Sequence, residues 1–445
     1  MDELLKSTMG HGRIATQRLV VPLAAREAAD PSRFGPKAAN LAALGHAGLP
    51  TPGGFCVDAA AYRKQVRSLD LEEEARGVFS AGDRPQARRY ALQMKLGLMD
   101  REIDEGVLEP LLAAWREVTE GTRAPGVVRS SALVEDRHGS SFAGQFESYL
   151  GLNNPADFLT AVRACWAALW STRALRYMAT HGLDPAETAM ALLLQPLVPA
   201  RAAGGGLSRT ADGEMLVNAA HGLGAAIAQG EVVPDRYVLD RSGALKQSGI
   251  GRKYRHIGCV HSARGSRKPL FAAPCLNESE VRELGRLMRE AEKVVGMPVE
   301  IEWALDDSGI KLLQARPLHM QPAAVPDEIW LNHPRLSGHP AGIGWGTGRA
   351  CVINCECELA RVAPGDVLVT TVAGPALAEI LPRVAGVVAE LGGSTSHLAS
   401  LARERGVPMV LGVPDATRRI PDGSQVAVDG VAGIVRWVQR RTETA

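Results

Sequence analysis

The sequence VEIEWALDDSGIKLLQARPL, at residues 299–318, contains two runs of alternating polar and apolar residues. Alternation with a period of two is typical of β-strands that bury one face. The runs are separated by Asp307, Ser308 and Gly309. A three-residue connection that ends in glycine is common in β-hairpins, because glycine readily takes left-handed backbone angles. The sequence therefore predicts a β-hairpin that turns at residues 307–309.

The predicted register of this hairpin brings four polar side chains to one face. Glu302 lies opposite Gln314, and Glu300 lies opposite Arg316. The packed face is then formed by Ile301, Trp303, Leu313 and Ala315. Carboxylate and amide oxygens suit Mg²⁺ and a guanidinium suits phosphate, so the polar face fits a magnesium-bound polyphosphate. A surface salt bridge without a ligand is the alternative, since a one-residue slip would separate the four groups.

Two upstream segments add phosphate-binding candidates. Lys37 falls in the first turn of a helix predicted to begin near Gly35, where an ammonium and free N–H groups together favour phosphate. Arg129 lies near the end of a predicted strand, residues 124–131, which precedes a loop rich in serine and glycine that extends to Gly144. Backbone donors of such a loop can fold over the phosphates of a nucleotide. Together with the hairpin, these groups predict an ATP site.

A second candidate centre lies in LGGSTSHLASLARERGVP, at residues 391–408. The glycine pair ends a predicted strand, the serine and threonine residues are good N-caps, and the following helix closes at Gly406. His397 therefore sits at a helix N-terminus. A neutral imidazole there can act as a nucleophile, and the free N–H groups would stabilise a phosphoryl group that it accepts. From spacing alone, a histidine that caps the helix or faces solvent is the alternative.

Composition excludes several classes of protein. The 445 residues include 50 Lys plus Arg against 49 Asp plus Glu, so no overall field would attract nucleic acid or an anionic membrane. Apolar runs stop well short of the ~20 residues of a membrane-spanning helix, and no secretory leader is recognised. The seven scattered cysteines fit no disulfide framework, and the cluster of Cys351, Cys355 and Cys357 is interpreted as reduced thiols. We therefore expect a cytoplasmic protein without nucleic-acid or membrane partners.

The order of these patterns predicts an α/β (α+β) protein of two domains. Residues 1–319 mix helical and strand patterns, including a helix that begins with a capping box at Asn277 and Glu280. Residues 320–342 contain four prolines, which suits a linker or hinge. Residues 343–445 alternate short strand-like runs with helical ones and form a smaller α/β domain.

Several motifs, in this order, resemble those of the phosphoenolpyruvate synthase, pyruvate phosphate dikinase and rifampicin phosphotransferase family. The ATP-binding part of that family is similar to FGPKAANLAALGHAGLPTPGGF, VVRSSALVED with SFAGQFESYLGL, GEVVPDRYVLDR, and PCLNESEV with the hairpin. Its mobile phosphohistidine domain is similar to GGSTSHLASLARERGVPMVLGV with DGSQVAVDGVAGIV. The resemblance implies an ATP-grasp-like nucleotide-binding domain at residues 1–319 and a swivelling phosphohistidine domain at residues 343–445.

The resemblance also implies roles for single residues, with ATP as substrate and Mg²⁺ as its metal. Nucleotide contacts fall on Lys37, Arg129, Gly144, Ser148 and Gln195, magnesium on Glu302 and Gln314, phosphate on Arg316, and phosphorylation on His397. Two positions depart from the family pattern. Ala225 stands where a carboxylate is usual, and Glu390 stands where an aspartate is more usual. Either departure could alter the rate or the acceptor without abolishing phosphorylation of the histidine.

The implied reaction is of dikinase type. A phosphoryl group passes from ATP to His397 and then, after the smaller domain swivels, to a small-molecule acceptor, with AMP and phosphate released. Family members carry a further large acceptor region, and only residues 320–342 stand in its place here. The acceptor then binds where the two domains meet, or a separate subunit supplies its site, as in phenylphosphate synthase. A non-catalytic nucleotide-sensing protein is the third interpretation, against which the intact set of site residues argues.

Overall fold

The computed structural model describes residues 18–135, 142, 145–146, 148–252, 273–318, 330 and 333–438. The α-helices are α1 (Pro31–His46), α2 (Ala59–Ser68), α3 (Glu72–Ser80), α4 (Arg84–Asp100), α5 (Glu105–Thr122), α6 (Pro155–Ala168), α7 (Thr172–Thr180), α8 (Ala225–Ala228), α9 (Glu278–Val295), α10 (His397–Arg405) and α11 (Ala416–Arg419). The strands are β1 (Val20–Pro22), β2 (Phe55–Val57), β3 (Gly126–Ala132), β4 (Ser148–Leu152), β5 (Met190–Pro196), β6 (Ala202–Leu207), β7 (Met215–His221), β8 (Asp235–Leu239), β9 (Leu245–Gly249), β10 (Val299–Asp306), β11 (Gly309–Pro317), β12 (Arg335–Ser337), β13 (His339–Gly342), β14 (Trp345–Ile353), β15 (Val367–Thr370), β16 (Gly386–Ala389), β17 (Met409–Leu411), β18 (Gln425–Asp429) and β19 (Ile434–Trp437).

Within the described residues the strands form three sheets. The first has the order β1-β2-β5-β3-β4 and the second has the order β11-β10-β6-β7-β8-β9, and every pairing in both is antiparallel. The third has the order β12-β19-β18-β14-β15-β16-β17-β13, and its four strands from β14 to β17 run parallel. Helices accompany all three sheets, so the predicted mixed α/β class is confirmed.

Gly35 sets the start of the helix that carries Lys37. Its φ of +72° interrupts α1, and a Cβ at this position would collide with the backbone and side chain of Ser131. Glycine therefore meets both the backbone angle and the close approach to β3. The helix resumes at Pro36, which places Lys37 in a first turn, as the sequence predicts.

Helix α1 also fixes the first sheet against the second. The backbone N–H of Ala38 donates to the Ser131 hydroxyl on β3 at 3.3 Å. On the other side, the Asn40 amide donates to the Ala315 carbonyl on β11 at 3.2 Å. One helix thereby holds β3 and β11 at a set separation, and the cleft between them contains most of the predicted site residues.

The hairpin has the predicted register at the site but a different turn. Asp306 pairs with Gly309, so the turn contains two residues and not three. The register then shifts between Glu302 and Trp303, which leaves one extra residue on β11 as a bulge. The shorter turn and the bulge offset each other. Glu302 therefore still lies opposite Gln314.

The bulge corrects one prediction about the packed face of the hairpin. Trp303 and Ala315 are fully buried, as predicted, and Ile301 is buried beside them. Leu313 is only half-buried, whereas Leu312 is fully buried and pairs with Trp303. Because the turn is one residue shorter than predicted, Leu312 takes the packed position that the sequence analysis gave to Leu313.

Helix α9 supports the second sheet and begins as predicted. The Asn277 side chain accepts from the N–H of Glu280 at 3.0 Å, and the Glu280 carboxylate accepts from the N–H of Asn277 at 2.9 Å. This reciprocal pair is the predicted capping box. The buried face of α9 consists of Val281, Leu284, Gly285, Leu287, Met288 and Ala291.

Part of the segment predicted as a linker forms strands. β12 pairs with β19 and β13 pairs with β17, so residues 335–337 and 339–342 belong to the third sheet. Both are edge strands, where a proline such as Pro340 costs no ladder hydrogen bond. Residues 319–329, 331 and 332 lie outside the described residues.

None of the helices in the described part of the chain combines the length and hydropathy needed to cross a lipid bilayer.

His339 on β13 predicts a loss of stability in acid. Burial, with Arg236 and Arg252 nearby, lowers the pKa of His339 from 6.5 to about 4. The unfolded chain therefore takes up this proton first as the pH falls, and stability is lost between about pH 6.5 and about pH 4. We expect the free energy of unfolding to fall by up to about 3 kcal/mol over this interval, measured by urea unfolding.

His339→Gln should remove the contribution of His339 to that pH dependence, because glutamine takes up no proton in this range. His46→Gln is the matched control, since His46 is exposed at the end of α1. It should keep the wild-type slope. An unchanged slope in His339→Gln would contradict the assignment.

Candidate active site

Arg129 joins the two sheets at the centre of the site. Its Nη2 donates to Glu302 Oε2 at 2.5 Å and to Gln314 Oε1 at 3.1 Å. Its Nη1 donates to the carbonyl of Leu313 at 2.9 Å, at the bulge of β11. One guanidinium therefore holds the two predicted magnesium ligands side by side.

The charges around Glu302 keep it ionised. Burial opposes ionisation, but the positive charge of Arg129, with smaller contributions from His397 in its protonated form and from Arg316, outweighs it and lowers the pKa of Glu302 to about 2. The Glu302 carboxylate and the Gln314 amide oxygen are hard oxygen donors on neighbouring strands. This donor set fits Mg²⁺, which proteins commonly hold by one or two side chains together with substrate phosphates. In the described part of the chain, no three His, Cys, Asp or Glu side chains form a separate metal-binding group.

Lys37 reaches the same cleft from α1. Its Nζ donates to Glu135 Oε1 at 3.1 Å and to the carbonyl of Ser130 at 3.4 Å. Glu135 is fully buried just after β3. The sequence analysis missed this residue, although an acidic pair directly after a strand that carries Arg129 was the available signal.

The remaining predicted nucleotide contacts have different surroundings. Ser148 is exposed at the start of β4 and pairs with Arg129 across the first sheet. Gln195 is buried on β5, and its amide donates to the carbonyl of Gly53 at 3.2 Å. Gly144 lies outside the described residues. The structure thus brings Ser148 next to Arg129 and engages Gln195 with the loop before β2.

His397 is the first residue of α10. The Ser396 side chain caps this helix by accepting from the N–H of Ala399, and Gly406 ends it in a left-handed conformation with φ +63°. Both features follow the sequence prediction. Burial, with contributions from Arg316 and Lys37 and against the opposing charge of Glu302, lowers the pKa of His397 to about 4. The imidazole is therefore neutral at physiological pH and keeps a nucleophilic lone pair.

A buried polar network ties α10 to the hairpin. Arg316 donates to the Ser400 hydroxyl at 2.6 Å and to Glu300 at 3.0 Å. The Ser400 hydroxyl lies 2.9 Å from both carboxylate oxygens of Glu300. Arg403 donates to Glu300 at 3.0 Å. The sequence analysis placed Glu300 opposite Arg316 but missed Ser400 and Arg403, whose contacts depend on how the two parts of the chain pack.

Further contacts hold the loop before His397 against the second sheet. The Thr395 hydroxyl donates to the Asn218 amide oxygen on β7 at 3.3 Å, and the N–H of Gly392 donates to the carbonyl of Val232 at 3.1 Å. Together with the Ser400 network, these contacts place His397 in the cleft that contains Glu302, Arg316 and Lys37.

The two departures from the family pattern have distinct positions. Ala225 begins the short helix α8 after β7. Glu390 is buried in the smaller part of the chain, where its carboxylate accepts from the N–H of Thr417 at 3.1 Å and from the Thr417 hydroxyl at 2.5 Å. Glu390 therefore anchors the start of α11.

Comparisons with known proteins match both parts of the chain. Residues 31–332 match the model of the pyruvate phosphate dikinase AMP/ATP-binding domain, and residues 362–433 match that of the PEP-utilising enzyme mobile domain. The chain is 30% identical over 90% of its length to a phosphoenolpyruvate synthase of Pyrococcus furiosus and to a probable one of Pyrococcus horikoshii. It is 29% identical over 92% of its length to the phosphoenolpyruvate synthase of Escherichia coli.

The match spans 56% of the length of each of these three relatives. The first domain model alone covers well over half of the chain, and the second covers the segment that carries His397. On this evidence, the chain belongs to the pyruvate phosphate dikinase family and combines its AMP/ATP-binding domain with the mobile domain of PEP-utilising enzymes.

Proposed function

We propose that this protein is an ATP-dependent phosphotransferase of dikinase type. It transfers a phosphoryl group from ATP to His397 and then to a small-molecule acceptor, and it releases AMP and phosphate. The observation that carries the proposal is the position of a neutral imidazole at a helix N-terminus, packed into the same cleft as Glu302 and Arg316. Both matched domain families support this assignment.

Different side chains of the cleft have different roles in the first phosphoryl transfer. Lys37, Arg129 and Arg316 supply positive charge where the triphosphate would lie. Glu302 and Gln314 would hold Mg²⁺, which would neutralise phosphate charge when bound. His397 supplies the lone pair that forms the N–P bond to the β-phosphorus, and AMP leaves with the electron pair of the broken P–O bond. Water then cleaves the linkage between the β and γ phosphates and releases phosphate, which leaves the β-phosphoryl group on the imidazole. The N–H groups at the start of α10 then stabilise the phosphoryl group on the imidazole.

The second transfer requires the acceptor to reach the phosphorylated imidazole. In the structure α10 is docked on the hairpin, with His397 in the nucleotide cleft. We therefore propose that the smaller domain, approximately residues 343–445, swivels before the second transfer. Residues 320–342 include the proposed hinge, although the part that forms β12 and β13 moves with the third sheet. Such a motion can limit the turnover rate.

The test incubates pure protein with Mg²⁺ and ATP labelled at either the β or the γ phosphate. Acid-labile label from the β position on His397, together with AMP, is the expected result. Absence of label from both positions, with tight nucleotide binding, would reject the proposal in favour of a nucleotide-sensing protein. Label without any phosphorylated small molecule would favour an acceptor site on a separate subunit.

Gly205→Ala is expected to block the first transfer by keeping the smaller domain out of the cleft. Gly205 lies on β6 beside Glu302, and a Cβ there would have three Thr395 atoms as its nearest neighbours, the closest at 2.6 Å. We expect labelling of His397 to fall at least ~10-fold, because a real Cβ does not approach so closely and the domain must shift by a fraction of an ångström. ATP affinity, measured by calorimetry, should stay within about threefold.

Gly206→Ala is the matched control for this prediction. The two glycines are consecutive, but a Cβ at residue 206 would meet Met288 of α9 and not the smaller domain. It should lower the melting temperature while the folded fraction keeps its labelling rate. Normal labelling by Gly205→Ala would contradict this docking geometry.

A further inference from the structure

The polar network between α10 and the hairpin contains more charge than a structural contact needs. Its one carboxylate, Glu300, contacts two guanidiniums, Arg316 and Arg403. The side chains of these three residues are only 8%, 11% and 4% exposed. Buried charges are costly unless they are paired, and breaking such a pair is strongly unfavourable. Glu300 and Arg316 pair within the hairpin, whereas Arg403 of the smaller domain reaches Glu300 only when α10 is docked on the hairpin.

Arg403 is anchored in its own domain before it reaches Glu300. Its Nη1 donates to the Ala341 carbonyl on β13 at 3.0 Å and to the Ser394 carbonyl at 2.5 Å. Its Nη2 points across to Glu300. Ser394 lies three residues before His397, so the guanidinium links the position of the histidine loop to that of Glu300. A preorganised donor of this kind loses little entropy when it docks.

Ser400 completes the link on the same face of the helix. It lies one turn after Ser396 and three residues after His397, which puts it on the side of α10 that faces the hairpin. Its hydroxyl is buried between Glu300 and Arg316. These hydrogen bonds of Ser400 therefore form only when α10 packs on the hairpin in this one orientation.

We propose that Glu300, Ser400 and Arg403 are positioning residues that lock His397 into the nucleotide cleft for the first phosphoryl transfer. The proposal rests on the proposed function for the identity of that reaction. The lock acts on the docking of the imidazole and not on the binding of ATP. Arg316 stays on the hairpin whether or not α10 docks, so the positive charge that it supplies to phosphate does not depend on the lock.

The experiment uses Glu300→Gln and Ser400→Ala in the full chain. Glutamine keeps the size of the side chain and removes the charge, and alanine removes only the hydroxyl. We expect each change to slow formation of phosphohistidine at least ~10-fold, while ATP affinity stays within about threefold of the wild type. Small-angle X-ray scattering without nucleotide should show a larger radius of gyration when both changes are combined.

Two matched controls sit inside the smaller domain. Ser424→Ala removes a buried hydroxyl that bonds only to the nearby Pro421 carbonyl among the described contacts, and Arg349→Lys weakens an ion pair with Asp366. Both should keep the wild-type labelling rate per folded molecule. Arg403→Lys keeps the positive charge but has only one nitrogen in place of the two guanidinium nitrogens that bond to different groups. It should retain part of the labelling rate.

The outcomes separate the lock from the proposed function. Unchanged labelling by Glu300→Gln and Ser400→Ala overturns the lock, and so does an ATP affinity that falls in parallel with labelling. If the wild type forms no phosphohistidine, the proposed function fails and scattering alone decides the lock. In that case, equal radii of gyration for the wild type and the double variant overturn it.

Discussion

His397→Ala is expected to form no phosphohistidine and to release no AMP above background, a loss of at least ~10⁴-fold in turnover. The physical reason is that alanine has no lone pair with which to form the N–P bond. ATP affinity should stay within about threefold, because the charges that hold the triphosphate come from Lys37, Arg129 and Arg316. The measurement is acid-labile label from β-labelled ATP, with calorimetry for nucleotide binding.

The control for this variant is His46→Ala, which removes an exposed histidine at the end of α1. It should label at the wild-type rate. His397→Asn extends the test, since asparagine keeps a polar side chain at the start of α10 but cannot carry the phosphoryl group in an acid-labile N–P bond. Full phosphotransfer to any acceptor by either His397 variant would show that the reaction bypasses the histidine.

The sequence predicted the position of His397 at a helix N-terminus because the cues for this helix are local. A serine N-cap, a helix of nine residues and a closing glycine all lie close together in the sequence, and each has its own conformational preference. The break in α1 at Gly35, after which the helix resumes at Pro36, and the capping box at Asn277 were predictable for the same reason. Local rules determine these features, so distant packing does not change them.

The hairpin shows where local reasoning reaches its limit. The three-residue turn was wrong, yet Glu302 and Gln314 still face each other because a bulge at Leu313 offsets the shorter turn. The bulge has a partner that no local pattern reveals, since the Leu313 carbonyl accepts from Arg129 of another sheet. The site register depends on this long-range contact as well as on the alternation of residues.

Contacts between residues that lie far apart in the chain could not be predicted from the sequence patterns. Glu135 pairs with Lys37 across 98 positions, and Glu300 contacts Arg403 across 103 positions. Each is a common charged residue without a distinctive spacing. Their partners become evident only when the sheets and α10 are brought together.

Glu302→Gln is expected to lower the rate of histidine phosphorylation by ~10²–10³-fold at limiting Mg²⁺. Glutamine keeps an oxygen that can accept from Arg129, so the contact between the sheets survives. What it loses is the negative charge, which the surrounding cations hold ionised with a pKa of about 2. The Mg²⁺ concentration for half-maximal rate should therefore rise at least ~10-fold.

Measuring the affinity for ATP without Mg²⁺ distinguishes the loss of a metal ligand at Glu302 from damage to the whole ATP site. Removing a carboxylate beside Arg129 and Arg316 leaves more positive charge in the cleft, so metal-free ATP should bind as tightly as before or more tightly. Glu283→Gln on the exposed face of α9 is the control, because its surface ion pair contributes little. Thermal unfolding identifies any loss of fold. A folded Glu302→Gln protein with the wild-type Mg²⁺ dependence would show that this carboxylate does not hold the metal.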